Sequence, residues 1–89
     1  MSFSNKVVLV TGAQEGIGRS MAEAFATEGA RVAINWLDDR KKAEKVAEIV
    51  KNLGVQTELI QGDVSKVSDA RRIVNTTIET FGSIDFLIN

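Results

Sequence analysis

The sequence predicts an α/β fold: a doubly wound parallel sheet of four strands and three helices, with helices on both faces. Three observations predict it. The first of four strand-sized stretches, residues 6–11, is an apolar, β-branched run without the in-out alternation of a half-exposed strand, as a strand covered on both faces of a parallel sheet is. The stretches between them carry apolar residues at helical spacing. Each of these stretches closes on a glycine, Gly29, Gly54 or Gly82, the residue most suited to follow a helix C-terminus. Strand and helix in strict alternation, joined by right-handed crossovers, give a parallel sheet.

Residues 6–11, Lys-Val-Val-Leu-Val-Thr, form the first strand and run directly into the turn Gly12-Ala13-Gln14-Glu15-Gly16-Ile17-Gly18. Ile17, Met21, Ala24 and Phe25 then mark the inward face of the first helix. Residues 31–36 are the second strand, and Ala43, Val46, Ala47, Val50 and Leu53 line one face of the second helix. Residues 56–60 are the third strand. A third helix follows, capped by Ser65, with Val67, Ala70, Val74, Ile78 and Phe81 facing inward. Residues 84–89 are a fourth strand with the apolar run Phe86-Leu87-Ile88 of the kind found inside a sheet, and an unpaired edge there predicts self-association or a weakly folded chain. With no proline, nothing interrupts any of these elements.

Composition excludes several classes of function. The 89 residues are 44% hydrophobic and 26% charged, which is the balance of a globular domain at the small end of what buries its own core. Eleven basic and twelve acidic side chains, with no basic cluster beyond Arg40-Lys41-Lys42, argue against nucleic acid as a partner. No run is long and apolar enough for a membrane span, and the first residues lack the layout of a signal peptide. Without cysteine there is no disulfide, thiolate nucleophile or Cys-based metal site, which fits a reducing, cytoplasmic setting. Histidine and tyrosine are absent too, so the commonest general base and the one phenolic donor are missing. No catalytic residue and no metal ligand set is assigned.

Three glycines between a buried strand and a helix predict a phosphate cradle, because a helix N-terminus offers unpaired N–H groups and partial positive charge to an anion. Gly12 permits the tight turn, Gly16 leaves room for a pyrophosphate, and Gly18 lets the helix pack on the sheet. The plainer alternative is a turn whose glycines serve backbone geometry alone. The spacing G-x-x-x-G-x-G differs from the commoner G-x-G-x-x-G and lacks the Gly-Lys-Ser/Thr end of a P-loop.

Read with Thr11, the turn is Thr-Gly-Ala-Gln-Glu-Gly-Ile-Gly and resembles the T-G-x-x-x-G-[IL]-G signature of the short-chain dehydrogenase/reductase family. Asp63-Val64 is similar to that family's Asp-Val or Asp-Leu pair, whose carboxylate accepts from the adenine amino group. Residues 81–89 resemble its F-G-x-[IL]-D-x-L-[VI]-N stretch, which leads into N-N-A-G, and Asn89 is the first Asn of that motif. The resemblance runs from Lys6 to Asn89 and implies the N-terminal half of a Rossmann-type domain, a truncated unit over residues 1–89. It carries Gly12, Gln14, Glu15, Gly16, Ile17, Gly18, Trp36, Asp38, Asp63, Val64 and Asn89 over as cofactor-binding positions. Outside the resemblance, Asp63 reads as a solvated turn or cap residue.

The cofactor implied is NAD or NADP. Counting about 20 residues from the glycines reaches Asp38 and Asp39, carboxylates suited to the ribose hydroxyls of NAD. Aligning on the second strand instead puts Trp36 where the family's NAD-selective aspartate stands, either to stack on adenine or to pack. Glu15 occupies the place of the basic residue of NADP-preferring relatives, and its charge opposes a 2′-phosphate. Arg40 either reaches a phosphate or belongs to a solvated basic run. The balance leans to NAD.

The resemblance implies hydride transfer between NAD(P)(H) and a small-molecule carbonyl or alcohol in the complete protein, which is expected to be a homo-oligomer. The family's Tyr-x-x-x-Lys pair and its upstream Ser and Asn have no counterpart in these residues, so the 89-residue chain alone is expected to bind cofactor and not to turn over. Two rival readings are a non-catalytic dinucleotide-binding or regulatory module and an open flavodoxin-type domain without a dinucleotide.

Overall fold

A computed structural model describes residues 2–89. Seven elements follow in order: β1 (Val7–Val10), α1 (Gly16–Thr27), β2 (Arg31–Trp36), α2 (Arg40–Asn52), β3 (Thr57–Gln61), α3 (Val67–Phe81) and β4 (Phe86–Ile88). All strand pairs are parallel, and the sheet order is β3-β2-β1-β4. In a flavodoxin-type sheet the third strand would cross to the far side of β1. Here β3 pairs with β2 in the register Val32 to Thr57, so that rival is excluded and the sheet is of Rossmann type.

Successive residues of β1 feed two different cores, which is why the run VVLV has no alternation. Val8 and Val10 join Val32 and Ile34 beneath α1 and α2, where Ala22, Ala26, Val46 and Val50 complete the packing. Val7 and Leu9 join Ala33 and Ile60 beneath α3, with Ile73 and Phe81. Each fully buried Val or Leu contributes about 1.5–3 kcal/mol of transfer free energy, so the short central strands anchor both layers. The helices end as expected: Gly29, Gly54 and Gly82 all have φ near the left-handed region at 94°, 90° and 90°.

The inward faces of two helices differ from expectation. On α1 the buried residues are Ala22 and Ala26, with Met21 and Phe25 partly covered, whereas Ala24 is exposed and Ile17 is 82% exposed. Two small alanines let the helix lie close on the sheet; Ile17 sits in the first turn, above the strand ends rather than over the sheet. On α3 Ile73, Thr77 and Phe81, spaced by four, are buried against the sheet and Val74 packs partly beside them as expected, while Val67 and Ile78 are exposed. Thr77 is buried without penalty because its hydroxyl donates to the Ile73 carbonyl at 2.8 Å. Leu53, assigned to the inner face of α2, lies beyond its last turn and is exposed.

Two boundaries also move. Ser65 does not cap α3; Lys66 holds the N-cap position without a side-chain cap bond, and Ser65 turns back to Asp63 instead. The fourth strand is confined to Phe86–Ile88, because Asp85 is tied to β1 by both its backbone N–H (to Val7 O, 2.9 Å) and its Oδ2 (from Val7 N–H, 2.8 Å). β4 stands at the sheet edge with Phe86 and Leu87 exposed. On the α1 side, Phe86 packs with Phe3 and Phe25 in a ring cluster, with centroids 5.2–6.5 Å apart.

Candidate functional site at the strand C-termini

Parallel strands deliver all their following loops to one edge of the sheet, and a crevice opens there where the strand order reverses, between β1 and β4. The glycine turn leaves β1 at this edge. Gly12 and Gly16 have φ of 58° and 63°, conformations that L side chains rarely adopt, and a Cβ on either would meet nothing within 4 Å. Both therefore leave open space above the N-terminus of α1. Gly18 is different: a Cβ there would lie 2.5 Å from the Gly12 carbonyl oxygen and 2.9 Å from the Ala13 Cα. The close approach it permits is of α1 to its own turn, not to the sheet.

The first N–H groups of any helix lack an acceptor within the helix. On α1 no side chain supplies one, since the N-cap residue Glu15 makes no cap bond. Its carboxylate instead meets Lys42 Nζ at 2.9 Å. That hydrogen bond, reinforced by the charge of Glu15, raises the Lys42 pKa above its ordinary value. By contrast α2 is capped, with Asp39 Oδ1 accepting from the Lys42 N–H at 3.0 Å.

Two side chains hold the turn in place. Asn35, buried at the end of β2, accepts from the Gly12 N–H through Oδ1 at 3.1 Å and donates through Nδ2 to the carbonyls of Ile60 and Gly62, both at 3.1 Å. It thereby fixes the turn after β1 to the chain leaving β3. Gln14, 7% exposed, accepts from the N–H groups of Leu37 and Asp38 at 2.8 and 3.2 Å and donates to Asp38 Oδ1 at 2.8 Å. The sequence places Gln14 in the motif but gives no sign of this bracing role. Asn35 lies within the predicted second strand, where a polar side chain near the C-terminal end of a largely apolar run is the signal that marks it.

The other expected positions gather at the same edge. Trp36 ends β2, half-buried, and its carbonyl accepts from the Gly62 N–H at 2.9 Å. Asp63 follows β3; its Oδ1 accepts from the Ser65 hydroxyl at 2.6 Å and the Ser65 N–H at 2.9 Å, and these two bonds lower its pKa. Asn89 lies beside Thr11, whose Oγ1 donates to its Oδ1 at 3.2 Å. Exposed Val64 joins Thr11, Leu87 and Asn89 around a largely apolar cleft of about 150 Å³ between β1, β4 and α3. Ile17 is exposed at the mouth of the glycine turn. Among the described residues no group of three or more acidic, His or Cys side chains is placed to hold a metal, and no helix is long and apolar enough to cross a membrane.

Comparison with known proteins agrees with this arrangement. A family profile described as short chain dehydrogenase matches residues 6–89. The chain is 49% identical over 89 residues to an uncharacterized oxidoreductase of Thermotoga maritima and 44% identical over 85 residues to a 3-oxoacyl-[acyl-carrier-protein] reductase of Staphylococcus epidermidis. It spans 34% and 35% of the length of these two relatives. A short-chain dehydrogenase/reductase homolog of Bacillus subtilis is 38% identical over the whole chain, which covers 82% of that protein. Among solved structures, a short-chain dehydrogenase/reductase from Serratia marcescens superposes on 98% of the chain, and 36% of its own, with a TM-score of 0.94 at 30% identity. Apo glucose dehydrogenase of Caenorhabditis elegans superposes on the whole chain, and 38% of its own, with a TM-score of 0.90 at 33% identity. Glycine spacing, strand order and whole-length superposition converge, and the chain belongs to the short-chain dehydrogenase family.

Proposed function

We propose that this chain is the dinucleotide-binding part of an NAD(P)-dependent oxidoreductase that interconverts a small carbonyl compound and its alcohol. The observation that carries the reading is the uncapped N-terminus of α1 beneath two left-handed glycines that leave open space, at the point where the strand order reverses. A pyrophosphate fits there: its charge meets the helix N-terminus, and Gly12 and Gly16 offer it backbone without side chains. Gly18 supports this seat from below through the close helix approach. Asp38, aimed by Gln14, is the acceptor for the adenosine ribose hydroxyls. Asp63 keeps Oδ2 for the adenine amino group while Oδ1 is held by Ser65, and Val64, Trp36 and Ile17 supply apolar cover. Asn89 steadies the β1 edge of the site through Thr11.

Bound NAD(P) would supply or accept a hydride; this chain's residues orient it and, with no tyrosine or histidine, offer neither a phenol nor an imidazole to carry the proton. Turnover therefore belongs to the complete protein, with carbonyl or alcohol substrate, homo-oligomeric assembly and a cytoplasmic setting as parts of the same proposal. The 89-residue chain is expected to bind NAD(H) and to show no carbonyl reductase activity; a measurable reductase rate from the purified chain would overturn the second statement. A non-catalytic binding module is the competing reading, favoured by the Bacillus subtilis homolog that this chain covers to 82%. Calorimetric titration of the complete natural protein, followed by a carbonyl-reductase assay, separates the two: binding with turnover supports the oxidoreductase, and binding without it supports the module.

A further inference from the structure

We propose that Asp69, in the first turn of α3, is the positioning residue of the adenine end, acting with Arg72 as a clasp that fixes the turn after β3 so that Asp63 presents its carboxylate to an adenine amino group. This role rests on the Asp63 reading above and adds the residue through which that carboxylate is placed. Asp69 Oδ2 accepts from the Asp63 N–H at 2.9 Å. Three residues on, Arg72 Nη2 donates to the Gln61 carbonyl at 2.7 Å and lies 3.9 Å from Asp69 Oδ1. Helix α3 therefore holds the chain on both sides of Gly62. The bare backbone of Gly62 makes room for this, since a Cβ there would lie 2.7 Å from Arg72 Nη2 and 2.9 Å from Ile73 Cδ1.

The bonds that Asp63 makes with Ser65 and Lys66 are local to its own turn and move with it. The bond to Asp69 fixes that turn on the helix, and a bond to a carboxylate is stronger than one between neutral groups. On the other side, Gln61 Nε2 donates to the Leu37 carbonyl at 2.8 Å and the Gly62 N–H to the Trp36 carbonyl at 2.9 Å, so the clasp also reaches the loop after β2. The Asp69 and Arg72 side chains are partly exposed and belong to neither buried core, so each is replaceable without opening the sheet packing. With Asp69 replaced, the Asp63 carboxylate remains but is no longer held where an amino group meets it.

The test is calorimetric titration of NAD+ and of its hypoxanthine analogue, which carries a carbonyl where adenine carries the amino group, into the complete natural protein and its Asp69→Ala, Asp69→Asn and Arg72→Gln variants. The parent is expected to prefer NAD+ by about tenfold, the scale of one hydrogen bond to a charged group. Asp69→Ala is expected to bind the two dinucleotides within about threefold of each other, with its affinity for the analogue unchanged. Asp69→Asn keeps an acceptor oxygen and is expected to restore the preference. Arg72→Gln frees the Gln61 carbonyl, leaves Asp69 in place and is expected to lose about threefold of the preference, which carries the test if Asp69→Ala does not fold. A preference that survives in Asp69→Ala, or in Arg72→Gln where Asp69→Ala does not fold, overturns the proposal and leaves the Asp63 reading intact. So does equal weakening of both dinucleotides, which a merely structural role predicts, or an Asp69→Asn protein that behaves like Asp69→Ala. A folded parent protein that binds both dinucleotides alike, or neither, overturns the Asp63 reading and the clasp with it.

Discussion

Asn35 sits at 2% exposure with its Oδ1 on the glycine turn and its Nδ2 on the chain leaving β3. Replacing it by Leu keeps the branched shape and heavy-atom count and strands buried backbone groups, each costing about 1–3 kcal/mol. Asn35→Leu is expected to lower the urea midpoint by the equivalent of roughly 3 kcal/mol, more than any exposed substitution in the same turn. The glycines separate in a similar way. Gly18→Ala forces a methyl into the Gly12 carbonyl and is expected to cost about 1–3 kcal/mol in chemical denaturation. Gly16→Ala meets no atom, costs about 1 kcal/mol of backbone strain, and weakens NAD+ more than it weakens the fold. Asp63 gives a pH-dependent readout. Its native pKa lies below the ordinary 3.8, so the two Ser65 bonds contribute stability above that value and lose it as pH falls through the lowered one. In Ser65→Ala the hydroxyl bond is gone, and carboxyl NMR should show Asp63 titrating at higher pH than in the parent chain.

At the scale of elements, what was legible depended on how local the cause was. β2 is found at its predicted bounds because four buried residues, Val32 to Asn35, between two half-buried ends carry their own signature. The helix stops were legible for the same reason, since Gly29, Gly54 and Gly82 need left-handed backbone whatever surrounds them. The inner faces of α1 and α3 were legible only in part: Met21, Phe25, Val74 and Phe81 pack inward as expected, while Ile17, Ala24, Val67 and Ile78 do not. Apolar residues at helical spacing occur in two overlapping stripes on each helix, and only the sheet decides that Ala22 and Ala26 go under while Ile17 stays out. The glycine seat was readable from its spacing, whereas the Gln14 and Asn35 braces span 23 to 27 residues and come from how β1, β2 and β3 lie side by side. One element-level expectation follows from the cap of α2. Asp39→Ala removes the acceptor for the Lys42 N–H and should destabilise the chain by about 1 kcal/mol, read as a lower thermal midpoint.

For the whole molecule, the two layers are unequal. The α1 and α2 side buries a continuous core, while the α3 side leaves Leu87, Val64 and Val67 exposed beside an unpaired β4 edge. Such an edge is a template for pairing, so the 89-residue chain is expected to associate with rising concentration in sedimentation velocity, and Leu87→Lys to shift it toward monomer. A parent chain that stays monomeric at every concentration, with a cooperative melt, contradicts this. The chief claim, though, concerns the other end of the molecule, where Gly12, Asn35, Gly62 and Asn89 bring the strand termini together. The most direct measurement is a titration of NAD+ into the 15N-labelled chain, followed by amide chemical shifts. The account predicts saturable shifts concentrated in residues 12–18, 36–39, 63–64 and 89, with the first-turn amides of α1 moving most. A folded chain whose amides do not move, or whose shifts centre on another face, would contradict it.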